Sequence, residues 1–344
     1  MLKQIISVAL LAGQTFAFDQ LLNFKAAPEY ETRTLDEIHQ AALKEGGVVT
    51  VWHGGDEANQ QDGLKAAFEK RFPGVTLNIT VALSKYHDGK LDQQLGANNV
   101  FVDSIILQTL HDYPRWAQQG ALLNYAPVGF NQIEHSFKDD TAAWYGLYVF
   151  FWTGAWNTKK LSGIQAPVEW NDWLRPEFKN KLVITYPNDD DAVLFAFYLV
   201  MNQYGEEWLD KLIDQNPRWV RGTATPGTLI SQDNSTSAAY FAAGGSFAPG
   251  GDLNFSVPVE GKYGAKLLHN FILSEDFQKS SGGWSVRRDV PTPDGYPDLW
   301  TNNATNPAEF ARFMADRALV ERLRFYFEAR IGSAQGLDPI IDGI

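Results

Sequence analysis

The chain contains no cysteine. No disulfide framework can hold it together and thiol catalysis is excluded, so its stability has to come from a large core. Basic residues are in deficit: 29 Lys and Arg stand against 41 Asp and Glu, a formal net charge of −12. They form no long basic run, which argues against nucleic acid and anionic membranes as partners. Long apolar runs are also missing. The longest beyond the N-terminus, Ala192 to Met201, is interrupted by Asn202 and Gln203, well short of the about 18 residues of a membrane helix. No membrane insertion is expected. Catalytic signatures are absent too: the chain has no Gly-x-Ser-x-Gly elbow, no His-Glu-x-x-His, no Walker loop and no Gly-x-Gly-x-x-Gly.

What is present points to export and to two lobes. Met1 to Ala17 reads as a secretory signal peptide: Lys3 is the charged start, Ile5 to Ala12 the apolar stretch, and Thr15-Phe16-Ala17 the cleavage site. The length of 344 residues exceeds what one core needs. Aromatics reach 13%, with 11 Trp, enough for large cores or an aromatic-lined cleft. Glycosylation sequons occur at Asn78, Asn234, Asn254 and Asn303.

The chain is organised around residues 46–72. Val48 to Trp52 is an apolar, β-branched run that reads as a buried strand. His53-Gly54-Gly55-Asp56 breaks it, and Leu64, Ala67, Phe68 and Phe72 follow at helical spacing. Asp56 or Asn59 is the candidate cap of that helix. A strand, a glycine-containing loop and a helix start form the crevice in which open α/β sheets bind ligands, and the glycines would let the backbone approach one closely. A plain βα turn carries glycines as well.

Helices and strands alternate from there. Thr34 to Glu37 has the form of a capping box for a helix through Lys44. Val75 to Val81 alternates like a strand, a helix runs over about His87 to Ala97, and Val100 to Leu107 is a third strand. Such alternation implies βαβ units and a mostly parallel sheet. Trp144 to Trp152 is a long aromatic strand, Asp189-Asp190-Asp191 precedes a strongly apolar helix to Tyr204, and Gly222 to Ser237 has loop composition. One helical stretch is expected over Pro307 to Ile331.

The order of these pieces resembles the extracellular solute-binding proteins of ABC transporters, with a type II periplasmic-binding-protein fold, in the ferric-iron-binding branch. The matching stretches are Leu35 through Gly46, Val49 through Gly54, Phe68 through Gly74, Trp156 through Leu161, Trp170 through Lys181, Phe271 through Gln278 and Val286 through Val290. The resemblance covers about Leu35 to Arg330. It implies an α/β chain of two lobes, each a mostly parallel sheet with helices on both faces, closing on a ligand by hinge motion. The expected division is signal peptide 1–17, first lobe 18–143, second lobe 144–252, and a return to the first lobe over 253–344, with the last helices against the second. The crossings are expected near Trp144 to Tyr148 and Leu253 to Val259. Iron-binding members place a His or similar group after the first strand, a Glu after the third, and a Tyr pair in the second lobe. This chain has His53 at the first position, Gln108 at the second, and Ala242-Ala243-Gly244-Gly245-Ser246-Phe247 where the tyrosines would stand. An amide is a poor ligand for a hard cation, so ferric iron does not carry over.

The candidate ligand-binding residues are His53, Gly54, Gly55, Asp56, Gln108, Trp144, Tyr145, Asp189, Asp190, Thr225 and Trp284. Each has a plain structural reading beside it. His53 can equally pack on Trp52. A run of aspartates suits a helix start through its unpaired N–H groups and dipole, so capping is the first reading of Asp189 to Asp191. Thr225, with Thr223 and Thr228, sits in a stretch whose composition is that of a solvated loop. Trp144, Tyr145 and Trp284 are aromatic faces for a ligand ring or cation, or core. The expectation is a secreted, monomeric solute-binding protein without cofactor, resident metal or catalytic residues. Its ligand is a small polar or cationic organic molecule or a metal chelate, passed to a membrane transporter or receptor. The alternatives are a secreted enzyme using the same cleft, and a surface or effector protein that has lost its small ligand.

Overall fold

A computed structural model describes residues 27–149, 152–243, 251–256, 263–280, 283–302 and 306–342. The signal-peptide expectation and the Asn303 sequon lie outside the described residues.

The first sheet grows from the stretch singled out above. Strand β1 is Glu29–Tyr30, and helix α1 is Leu35–Lys44. The start of α1 is fixed by the capping box: the Glu37 N–H donates to Thr34 Oγ1 at 3.3 Å, and the Thr34 N–H donates to Glu37 Oε2 at 2.7 Å. Then come β2 (Val48–Gly54), α2 (Asp62–Arg71), β3 (Thr76–Ala82), α3 (Ser84–Gly96), β4 (Ser104–Leu107), α4 (Asp112–Gln118), β5 (Tyr125–Ala126) and β6 (Tyr145–Val149). The sheet order is β3-β2-β4-β11-β6, where β11 is Gly251–Ser256. β2 runs parallel to β3 and β4, while β11 lies antiparallel between β4 and β6.

Period-two alternation sends side chains to opposite faces of this sheet. Val49, Val51, Leu77 and Ile106 face one apolar cluster with Ile38 and Ala42 of α1 and Phe68 of α2. Leu267, Leu268 and Ile272 of α8 (Tyr263–Ile272) complete that side, and α9 (Glu275–Ser280) follows. Trp52, Ile105 and Leu107 face the other cluster, under Leu91 of α3 and Tyr113 and Trp116 of α4. The outer edge of β3 is covered: Leu77 donates its N–H to Glu69 Oε1 at 2.9 Å, and its carbonyl accepts from Lys65 Nζ at 2.8 Å. Side chains on both backbone groups blunt the edge against pairing with another chain.

The second sheet group consists of β8 (Val183–Thr185) parallel to β9 (Arg218–Val220), and β7 (Thr153–Trp156) antiparallel to β10 (Ala239–Ala243). A bridge from Leu182 to Ala239 joins the two pairs. Helix α5 (Asp191–Tyr204) is apolar on nearly every side and therefore central. Around it pack α6 (Glu206–Asp214), α10 (Glu309–Ala315) and α11 (Arg317–Ile331), through Leu209, Phe313 and Phe327 among others. The cluster containing these residues is continuous with the α3–α4 side of the first sheet.

β6 and β11, near which the crossings between lobes are expected, pair with each other inside the five-stranded sheet. Two expectations are corrected. The stretch read as loop, Gly222 to Ser237, contains α7 (Thr225–Ser231), which starts with Pro226 in its first turn. The long C-terminal helix is two helices, broken at Asp316, whose side chain accepts from the Leu319 N–H at 3.0 Å to begin α11. Of the sequons, Asn78 is exposed on the outermost strand and Asn234 lies in an exposed turn, whereas Asn254 sits on β11 between two partners.

Candidate functional site

The carboxyl ends of β2 and β4 in the first sheet face those of β8 and β9 in the second, and polar side chains from both sides bond one another there. The Ala224 N–H, just before α7, donates to Asp56 Oδ2 at 2.6 Å. Gln108, directly after β4, donates from Nε2 to Asp190 Oδ2 at 2.9 Å. Lys85 of α3 pairs with the Asp189 carboxylate and donates to its carbonyl at 3.0 Å. Arg221, after β9, donates to Asp189 Oδ2 at 2.8 Å and to the Tyr86 hydroxyl at 2.7 Å. The two sheet groups are thus joined at one junction by groups that strand ends supply.

The carboxylates at this junction are not alike. Burial, the Asp190 charge and the Glu57 charge push Asp56 up to about 6, while N–H donors from Ala224 and Thr223 pull the other way. Burial likewise raises Asp190, against hydrogen bonds from Val193 and Gln108. Asp189 is buried as well, yet its bonds from Arg221 and Lys85 hold it below the usual carboxylate range. Asp190 is the N-cap of α5, accepting from the N–H groups of Ala192 and Val193 at 2.9 Å each. Asp191 pairs with Arg324 of α11.

His53 is buried, and its Nδ1 lies 2.6 Å from the Gly54 carbonyl oxygen. Burial pushes it down to about 4, so it is neutral at pH 7. His87 stacks on Trp52 with ring centroids 5.1 Å apart and is also pushed down to about 4 by burial. The loop glycines have a local cause. A side chain on Gly54 would meet Ser84 Oγ, and one on Gly55 would meet the Gln60 amide and Val81. The close approach they permit here is to the protein's own side chains.

Of the residues singled out from sequence, His53, Gly54, Gly55, Asp56, Gln108, Asp189, Asp190 and Thr225 fall in or beside this junction. Asp56 does not cap α2, whose N-cap, Gln61, makes no side-chain capping bond. It reaches instead to the chain ahead of α7. Three aromatic candidates lie elsewhere. Tyr145 is buried, with its hydroxyl bonded to His269 Nδ1, and Ser104 Oγ lies 2.9 Å from the other ring nitrogen. Trp144 packs against the larger apolar cluster. Trp284 donates from its indole N–H to the Pro297 carbonyl at 2.9 Å and packs against Tyr296. Sequence reasoning missed Lys85, Tyr86 and Arg221. Nothing near them in the chain marks them, because their partners lie 104, 135 and 32 residues away. Among the described residues, no group of three or more His, Asp or Glu side chains is gathered to hold a metal ion.

Comparison with known structures settles the architecture. Iron-bound HitA from Pseudomonas aeruginosa superposes with a TM-score of 0.58 at 15% identity, covering 80% of this chain and 99% of that one. AfuA from Actinobacillus pleuropneumoniae, a periplasmic binding protein with fructose 6-phosphate bound, gives 0.60 at 16% identity, covering 83% and 99%. The fold is that of the periplasmic binding proteins. Trichodesmium FutA in complex with iron and citrate is also similar, with a TM-score of 0.51 at 15% identity over 83% of this chain and 99% of that chain. The family described as bacterial extracellular solute-binding protein matches residues 103–248, the span that carries β4, α5, β9 and α7. The resemblance read from the sequence therefore holds. No curated protein sequence matches the chain significantly.

Proposed function

We propose that this chain is a secreted solute-binding protein that captures a small polar solute between its two lobes by hinge closure. The observation that carries the reading is the junction itself: groups at the ends of β2, β4, β8 and β9 converge from two sheets on one place. Ligands of open α/β folds bind at such strand ends, where a few placed polar groups set orientation. On opening, Asp56, Gln108, Asp190, Arg221 and Tyr86 lose one another and become available to a solute, with His53 and Thr225 beside them. Their carboxylates favour a cationic or amine-bearing molecule or a metal chelate. Directly bound ferric iron is a poorer reading, because the Gln108 amide stands where that branch places a Glu and is engaged with Asp190.

In this reading the first lobe takes residues 27–149 and 251–302, and the second takes 153–243 and 306–342. The expected boundaries shift because β6 stays in the first sheet. The protein acts as a monomer and hands its solute to a membrane transporter or receptor. Among the described residues no helix is long and apolar enough to cross a membrane. If the chain passes a glycosylating secretory route, Asn78 and Asn234, both exposed, are acceptors among the described residues. An enzymatic role has less support: the Ser104–His269–Tyr145 arrangement is sealed in the core, out of reach of substrate.

The test is native mass spectrometry of protein taken gently from a secreting host, set against its denatured mass. A discrete extra mass lost on denaturation is the expected result, and its value separates metal from organic ligand. A second reading, a surface protein that has lost its small ligand, draws on the close fit of Asp56 against Gly222, where no side chain fits. No extra mass, together with no thermal shift on adding metals, amines, phosphates or sugars, would favour that reading and overturn the first.

A further inference from the structure

Asp56 belongs to the first lobe and is held there by its own backbone. The Gly55 N–H donates to the Ala82 carbonyl at the end of β3 at 3.0 Å, and the Asp56 N–H donates to Gln60 Oε1 at 2.9 Å. The side chain reaches across to the second lobe. Asp56 is 3% exposed, and its Oδ2 accepts from the Ala224 N–H at 2.6 Å, with the Thr223 N–H as a further donor. Asp190 stands on the other side of the junction. Its Oδ1 accepts from the first N–H groups of α5, and its Oδ2 accepts from the Gln108 amide of the first lobe at 2.9 Å.

Each lobe thus brings a carboxylate to the junction, and the donors that reach the pair among the described residues are main-chain N–H groups and an amide, all uncharged. The cations nearby are engaged with other acids: Lys85 and Arg221 pair with Asp189, and Arg324 pairs with Asp191. The remaining titratable neighbours bring no positive charge at pH 7. Glu57 follows Asp56 on the same loop, its Oε1 3.5 Å from Thr228 Oγ1, and His53 at the end of β2 is buried and neutral. Two carboxylates withdrawn from water with no cation to serve them cannot both ionise without a large penalty.

We infer that closure of the junction takes up a proton on Asp56, so that the cleft opens more readily as pH rises and this proton is lost. Burial and the facing Asp190 charge, which push Asp56 up to about 6, agree with this. When the lobes part, water returns to the carboxylate and its hold on the proton falls toward the ordinary 3.8. The advantage of the closed form is therefore complete below about pH 4 and is lost as pH rises through 6. A positive group of a solute entering the junction would take the place of the same proton. This proton-coupled closure rests on the reading of the junction as the cleft.

The Ala224 amide reports opening, since its hydrogen bond crosses between the lobes. Hydrogen–deuterium exchange there is measured at pH 5 and pH 7 in the purified protein and in Asp56→Asn, which keeps an oxygen acceptor but does not titrate. Dividing the protection of the wild type by that of the variant at each pH cancels the intrinsic pH dependence of exchange and any contribution from His53. Proton uptake predicts a ratio about tenfold lower at pH 7 than at pH 5. Ala224 is expected to exchange faster than the buried amides of β2, as local opening requires. If Ala224 is protected but the ratio is the same at both pH values, the proton is refuted and the cleft stands. Exchange no faster than that of β2 would mean that the lobes part only on unfolding, which overturns the inference. If Ala224 is unprotected throughout, the junction does not hold in solution, and the reading of the cleft falls with it. Should Asp56→Asn fail to fold, the wild-type Asp56 carboxyl carbon resonance decides: titration well above 3.8 supports proton uptake, and titration near 3.8 refutes it.

Discussion

Tyr145 shows how a single side chain can carry two readings until its neighbours are known. It lies in an aromatic stretch suited to a cleft, but its hydroxyl is bonded to His269 inside the core, with Phe130 edge-on at 5.6 Å. Tyr145→Phe keeps the ring packing and removes that buried hydrogen bond, so it is expected to lower unfolding stability by about 1–3 kcal/mol. Urea unfolding measures the loss. Solute affinity, once a solute is identified, is expected to stay unchanged, and a drop would return Tyr145 to the site. Asp56 was legible as a polar residue after a strand, but not as the partner of Ala224. Its hydrogen bond spans 168 residues, and no local pattern encodes a partner so far along the chain.

Elements were more legible than contacts because their causes are local. The Thr34–Glu37 box, the apolar run at Val48 to Trp52 and the apolar helix after Asp190 each act over a few neighbouring residues. Asp190 fixes the start of α5, the central helix of the second lobe, and also receives the Gln108 amide. Asp190→Ala removes both bonds and is expected to cost about 1–2 kcal/mol for the cap alone, seen as a lower melting temperature. If melting is unchanged and only solute affinity falls, the capping role is minor. Helix α7 was hidden for the opposite reason. It is only seven residues long, rich in Gly and Thr, and the amide ahead of it is satisfied by a carboxylate from the other lobe. The break at Asp316 was hidden by an apolar pattern that runs on across it.

The whole molecule stores several imidazoles in neutral form. Burial pushes His53 and His87 down to about 4 and His269 to about 3, against 6.5 for an ordinary histidine. Below pH 6.5 the unfolded chain takes up protons that these folded groups refuse. Their contribution is fully present above pH 6.5 and is lost as pH falls toward 4. By pH 5 each has lost about 2 kcal/mol. Asp56 acts in the other direction: raised from 3.8 to about 6, it favours the folded form at low pH and loses that advantage as pH rises through 6. The histidines outweigh it, so the urea midpoint is expected to be lower at pH 5 than at pH 7. An equal or higher midpoint at pH 5 would mean that these rings are protonated in the fold.

The apolar cluster that runs unbroken from the α3–α4 side of the first sheet into the second lobe has a thermodynamic consequence. Heat capacity tracks apolar surface exposed to water. If the lobes part at the junction of Lys85, Asp189, Arg221 and Asp56 while the shared cluster stays joined, opening uncovers mainly charged and amide groups and carries little heat-capacity change. Temperature then has small leverage over the cleft, and ionic strength, which screens partly exposed pairs such as Lys85 with Asp189, has more.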